Sequence, residues 1–207
     1  AFFTGWNPRN PAGREVAGHA VSTNLIEWTK RCDEVCAPDG VLYKNHKDRD
    51  FRDPYVFWNE EEQCWWMLLF ANDAQTGSSV IGVFTSKDLT TWTAQPPIAN
   101  LTGQECPDYF RIGATHYLLG GFRYGYAVEV RGPYLNPQNP YLDTPIIYAG
   151  KRMFDGRRHV WTGWFRDLAG ERDGGGLEWG GPQQCLPREL YAGPGGELYA
   201  RPVDEVT

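Results

Sequence analysis

The residues specify an all-β chain built from repeats, of β-propeller type. The first sign is a twelve-residue segment that occurs twice. Gly18-His19-Ala20-Val21-Ser22-Thr23-Asn24-Leu25-Ile26-Glu27-Trp28-Thr29 matches Gly82-Val83-Phe84-Thr85-Ser86-Lys87-Asp88-Leu89-Thr90-Thr91-Trp92-Thr93 at a constant offset of 64 positions. The second is a pair of short acidic motifs, Arg52-Asp53-Pro54 and Glu105-Cys106-Pro107-Asp108. Each opens a Pro-x-x-Phe run, and the prolines at 54 and 107 lie 53 positions apart. The third is punctuation: 24 Gly and 15 Pro break the chain into short pieces, and no amphipathic run of helical period exceeds two turns. Repeats of this length, each holding about four short strands, are the sequence signature of a propeller.

In chain order, Ala1-Phe2-Phe3 reads as the middle of a strand. The Gly-x3-Ser segments follow a common logic: a strand ends at Ser, and Asn24 or Asp88 makes a turn through its side-chain-to-backbone hydrogen bonds. Leu and Trp are then expected to plug the core. Strands are predicted at Tyr55–Trp58, Cys64–Phe70, Ser79–Thr85, Tyr109–Ile112, His116–Gly120, Tyr126–Val130, Ile146–Ala149 and His159–Phe165, from apolar runs bounded by turn residues. No Gly-x-Gly-x-x-Gly follows a strand, which removes the dinucleotide-binding reading. A period of 53–64 residues gives three to four blades.

Composition removes other classes. Lys plus Arg number 20 against 26 Asp plus Glu, so a partner with a phosphate backbone is not expected. No stretch approaches the roughly 18 apolar residues that a membrane-spanning helix needs. Five cysteines are odd in number and irregularly spaced. Cys32-x3-Cys36 lacks the second half that a zinc site needs, so free thiols and no metal or cofactor are expected. Nine Trp, eleven Tyr and ten Phe suit a sugar platform and a strand core equally.

Asp53 beside Arg52, and Glu105 beside Cys106, are each also what a solvated turn looks like. Their equivalent placement in two repeats favours a shared site, because converging carboxylates are the equipment of glycoside cleavage. Glu105, near Cys106 and Tyr109, is the expected general acid, since a desolvated carboxyl keeps its proton nearer neutral pH. Asp53, next to Arg52, is the expected permanent carboxylate, able to accept sugar hydroxyls and to stabilise positive charge at the anomeric carbon.

Phe51-Arg52-Asp53-Pro54 and Glu105-Cys106-Pro107-Asp108 resemble the Arg-Asp-Pro and Glu-Cys motifs of glycoside hydrolase family 32, the β-fructosidases. Gly156-Arg157-Arg158, Gly163-Trp164 and Leu186-Pro187-Arg188-Glu189-Leu190 resemble its later stretch, and Phe3-Thr4-Gly5 its Tyr-Thr-Gly strand. The resemblance implies a five-bladed propeller, incomplete here at about three and a half blades, and a retaining mechanism on a fructoside substrate. In that scheme Glu105 is the acid/base and Asp53 the transition-state stabiliser. Arg52 and Cys106 line the pocket, and Trp164 walls it. The family's nucleophile, an Asp in a Trp-x-Asn-Asp-Pro-like motif, has no counterpart here. Residues 1–207 are therefore expected to be a partial catalytic domain, lacking its first blade, part of its second and the C-terminal β-sandwich, and to be inactive and poorly stable alone. Two rivals stay open: an arabinan- or xylan-directed glycosidase of a related fold, and a non-catalytic carbohydrate-binding propeller. Sugar, chain length, hydrolysis against transfer, oligomeric state and compartment are not assigned.

Overall fold

A computed structural model describes residues 1–10, 13–46, 48–98, 101, 105–165 and 183–206. Among these, regular structure consists of fourteen strands and two short 3-10 turns. The strands form four antiparallel sheets in two units, Ala1–Pro107 and Asp108–Thr207.

In the first unit, β1 (Phe2–Trp6), β2 (Glu15–Val21) and β3 (Thr29–Cys36) form a three-stranded sheet in chain order. β4 (Phe51–Asn59), β5 (Cys64–Asn72), β6 (Ser79–Ser86) and β7 (Thr93–Ile98) form a four-stranded meander. β5 carries Trp66-Met67-Leu68-Leu69, four consecutive residues with no exposed surface. A strand buried on both faces reads as a continuous apolar run rather than an alternation, as this one does. Met67, Leu69 and Ala71 on one face pack with Ala17, Cys36, Tyr43, Phe51 and Phe84, so this core draws on both sheets.

The leading glycine of the twelve-residue repeat has a structural reason in each copy. Gly18 sits at the register shift between Ala17 and His19 in the β2–β3 pairing, and Gly82 at the shift between Ile81 and Val83 in β6–β7. A Cβ at Gly18 would lie 2.7 Å from the Phe3 ring. One at Gly82 would meet Leu69 at 3.0 Å and Tyr43 at 3.2 Å. A bulge brings a ring over the backbone, and only glycine leaves room. Tyr43 also repairs the ladder at the second bulge. Its hydroxyl accepts from Val83 N at 2.8 Å and donates to Gln95 O at 2.6 Å; burial pushes the phenol well above its ordinary pKa.

The second unit holds β8 (Asp108–Ile112), β9 (Thr115–Gly120) and β10 (Arg123–Ala127) in one sheet. β11 (Ile147–Phe154), β12 (His159–Phe165), β13 (Arg188–Ala192) and β14 (Leu198–Pro202) form the other. Phe110, Tyr117, Leu119, Tyr124, Ile147, Trp161, Leu190 and Leu198 make its core. Asp108, fully buried, accepts from Arg152 N at 2.6 Å and fastens β8 to β11, so the last residue of the Glu-Cys-Pro-Asp motif is structural.

Most predicted strands fall where expected: His159–Phe165 has the predicted bounds, Ile146–Ala149 becomes Ile147–Phe154, and the others are extended at one or both ends. Tyr126–Val130 is corrected: the strand is Arg123–Ala127, because Tyr124, Gly125 and Tyr126 pair across β9 while Val128 is exposed. Uniform four-stranded sheets are corrected as well, since two of the four have three strands. None of the five cysteines is in a disulfide; Cys36, Cys64 and Cys185 are buried and Cys32 is exposed.

Candidate active site

The two acidic motifs share a backbone irregularity. Asp53 and Cys106, 53 positions apart and each preceding a proline, both have left-handed φ, 61° and 53°. That conformation is uncommon for a non-glycine residue and costs about 1–3 kcal/mol unless its surroundings hold it. At Asp53 the β4–β5 register breaks between Arg52 and Tyr55, where Pro54 has no N–H to offer the ladder. Asp53 N turns instead to Thr4 of β1, donating to its hydroxyl at 2.9 Å.

The motifs then interlock. Cys106 donates to Asp53 Oδ2 twice, from its backbone N at 3.1 Å and its thiol at 3.4 Å. Arg52 Nη2 donates to Glu105 Oε1 at 2.5 Å. Each repeat thus completes the other: the carboxylate of the first motif caps the second motif's strained residue, and the guanidinium of the first meets the second's carboxylate.

Arg52 is the hub. Its Nη1 donates to Glu15 Oε2 at 3.2 Å and, in a very short bond, to Asp50; its Nε stands 3.9 Å from Asp53 Oδ2. Its face lies 4.7 Å over the Phe70 ring, a cation–π contact. Burial lowers its pKa, but the hydrogen bonds it donates to Glu105 and Asp50 outweigh burial and hold it above its ordinary range. Four carboxylates around one fixed cation make a strongly negative, preorganised patch. Such a patch stabilises developing positive charge without rearranging during the reaction.

Of the residues expected in the site, Arg52, Asp53, Glu105 and Cys106 meet directly. The expected pairing differs in emphasis: Arg52 grips Glu105 closely and Asp53 only loosely. Trp164 lies half-buried on β12 in the second unit, its ring edge-on to Tyr148 at 5.3 Å. Glu15, Asp50, Thr4 and Phe70 were not anticipated. Glu15 Oε2 also accepts from Phe51 N at 2.8 Å, clamping β2 to the start of the motif strand. No local pattern marks it, since its role exists only once two distant strands are side by side.

The model of the "Glycosyl hydrolases family 32 N-terminal domain" matches residues 1–202, and the chain belongs to that family. Raffinose invertase of Escherichia coli is 32% identical over 111 residues, covering 51% of this chain and 21% of its own length. An insoluble beta-fructofuranosidase of Arabidopsis thaliana is 26% identical over 219 residues, covering 88% and 39%. Among solved structures, sucrose-6-phosphate hydrolase of Lactobacillus gasseri superposes with a TM-score of 0.72 at 19% identity, over 99% of this chain and 46% of that one. At that identity the likeness carries the fold, the family's β-propeller. The chain spans less than half the length of each of these proteins.

Proposed function

We propose that the chain is the catalytic-propeller part of a β-fructofuranosidase, a retaining glycoside hydrolase acting on sucrose-, inulin- or levan-type bonds. Glu105 serves as general acid and then base. Asp53 holds fructose hydroxyls and stabilises the oxocarbenium-like transition state, and Arg52 and Cys106 line the pocket. Trp164 is proposed as a wall residue. The nucleophilic carboxylate is proposed to come from a part of the parent protein other than residues 1–207, because no Trp-x-Asn-Asp-Pro-like motif occurs here.

The observation that carries this reading is the interlock of the two motifs. A turn carboxylate with no chemical duty has no need of a strained residue fixed by its counterpart 53 positions away. Arg52 fixes the orientation of the Glu105 carboxyl and compensates its charge in the base half of the reaction, when the proton has left. The arabinan-directed reading is the weaker, since the matching family model and the curated relatives above are of the fructoside type. A purely binding propeller is favoured by no observation.

The test is substrate and pH dependence in the full-length parent. Fructose should be released from sucrose, inulin or levan with retained anomeric configuration, and arabinan and xylan should be inert. Glu105→Gln should slow poor leaving groups far more than activated ones and flatten the basic limb of the pH profile. Equal turnover of Glu105→Gln on both leaving-group classes would place the acid elsewhere.

A further inference from the structure

We infer that the second unit carries a separate, non-catalytic saccharide-binding site in the cavity between β10, the loop at 138–143 and the start of β14. The cavity measures about 300 Å³, the lower end of the range for small-molecule sites. Its floor is rigid. Tyr124 on β10 is buried, its hydroxyl donating to Leu198 O at 3.2 Å and accepting from Leu198 N at 3.0 Å. The two sheets are therefore pinned together directly beneath the cavity.

Two aromatic walls are braced from outside. Tyr199, 42% exposed, stacks on Tyr191 with centroids 5.8 Å apart. Tyr141 stacks on Phe122 at 5.9 Å, with the Arg123 guanidinium over both rings. A tyrosine held in place offers a flat apolar face with little ordering entropy left to lose.

The polar groups are fixed in the same way. Glu197 Oε2 accepts from the Tyr199 hydroxyl at 3.1 Å, and Asp143 Oδ2 accepts from Arg188 Nε at 2.8 Å. Each carboxylate is oriented through one oxygen and keeps a second as an acceptor. Exposed Gln138 and Asn139 add side-chain amides on the loop.

This chemistry selects a ligand class. An anion would face two carboxylates, and a wholly apolar molecule would desolvate them without compensation. A neutral polyol ring satisfies every wall: its C–H face lies on a tyrosine, its vicinal hydroxyls donate to the carboxylates, and its remaining oxygens accept from the amides. The saccharide class follows from the cavity alone; that the saccharide is a fructan rests on the function proposed above. Its use would be to hold a polymeric substrate to the protein independently of cleavage.

The experiment titrates the full protein with a short inulin-type oligosaccharide, followed by NMR and calorimetry, in a Glu105→Gln background so that consumption is slow. A binding event is expected that Tyr199→Ala weakens about tenfold or more. The loop variant Gln138→Ala, which removes an exposed side-chain amide at the cavity, should weaken it to a lesser degree. In the active parent, Tyr199→Ala should raise KM for long inulin or levan and leave sucrose turnover unchanged. Absence of saccharide binding, or binding and polymer KM indifferent to both substitutions, overturns the site. Fructoside cleavage with no Tyr199-dependent binding would remove this site and keep the proposed function. Tyr199-dependent binding of other saccharides without fructoside cleavage would do the reverse.

Discussion

The chain contains two repeated pairs, and they behave oppositely. The corner pair, Ser22–Trp28 and Ser86–Trp92, consists of two self-sufficient copies. In one, Ser22 Oγ accepts from Leu25 N at 2.8 Å, and Asn24 Oδ1 accepts from Ile26 N at 3.0 Å and Glu27 N at 2.9 Å. In the other, Ser86 Oγ accepts from Leu89 N at 2.9 Å, and Asp88 Oδ1 accepts from Thr90 N at 2.8 Å and Thr91 N at 2.9 Å. Leu25 and Leu89 share left-handed φ, 59° and 67°. The motif pair, Arg52-Asp53-Pro54 and Glu105-Cys106-Pro107, consists of two halves that bond to each other. Copies that complete themselves are scaffold, whereas copies that complete each other bring charged groups together.

The corner pair also separates local code from packing. The expectation that Leu and Trp of each corner plug the core fails for the first copy, where Leu25 is 78% and Trp28 44% exposed. In the second copy Leu89 is half-buried, and Trp92 packs against the core with the Phe2 ring edge-on at 5.5 Å. The turn geometry is the same in both. Ser, Asn or Asp and their neighbours' N–H groups therefore write the turn, and the apolar residues follow whatever surface is available.

The sharpest stability contrast is expected at the tryptophans. Trp92→Ala should cost about 2–3 kcal/mol, below the full-core value because the ring is only partly buried. Trp28→Ala should stay within about 0.5 kcal/mol. Denaturant midpoints of the two variants would check this, and equal losses would mean that the first corner is packed in solution. At the bulges, Gly82→Ala should cost about 1–3 kcal/mol through overpacking against Leu69 and Tyr43, measurable as a lower melting temperature. Removing the hub by Arg52→Leu leaves its carboxylates without their cation. Because Arg52 and its partners are partly solvated, about 1–2 kcal/mol is expected rather than the larger loss of a fully buried pair.

The smallest effect is the most specific to the comparison. Hydrogen bonds from Thr91 N and Thr90 N hold the Asp88 carboxyl below its ordinary value of 3.8, whereas Asn24 in the matching corner does not titrate. A depressed folded-state pKa gives stability that is present above the unfolded value and lost as pH falls through the folded one. Asp88→Asn should remove that acid-limb dependence, and Asn24→Asp should add one. Acid-unfolding curves that fail to move in opposite directions would break the equivalence of the corners.

What was legible in the sequence follows the same division. β5 and β12 were readable because Cys64–Phe70 and His159–Phe165 are apolar runs with clear ends, and the corners because their hydrogen bonds are local. β3, Thr29–Cys36, was missed: six of its eight residues are exposed, so Thr-Lys-Arg-Cys-Asp-Glu carries no apolar pattern. Arg52, Asp53, Glu105 and Cys106, which lie together, were singled out because their spacing repeats. Glu15 and Thr4 were not, because nothing near either in sequence announces a partner 37 or 49 positions away.

On the function proposed above, the interlocked pair carries chemistry and the self-contained pair does not. This contrast is tested most directly by measuring kcat on sucrose and the unfolding midpoint for Glu105→Gln and Asp88→Asn in the same full-length parent. Glu105→Gln should lose about 10²–10⁴-fold in kcat, the usual worth of general acid–base assistance, with the midpoint nearly unmoved. Asp88→Asn should keep its rate. A Glu105→Gln enzyme that turns over like the parent, or an Asp88→Asn enzyme that loses as much, would contradict that division between the two pairs.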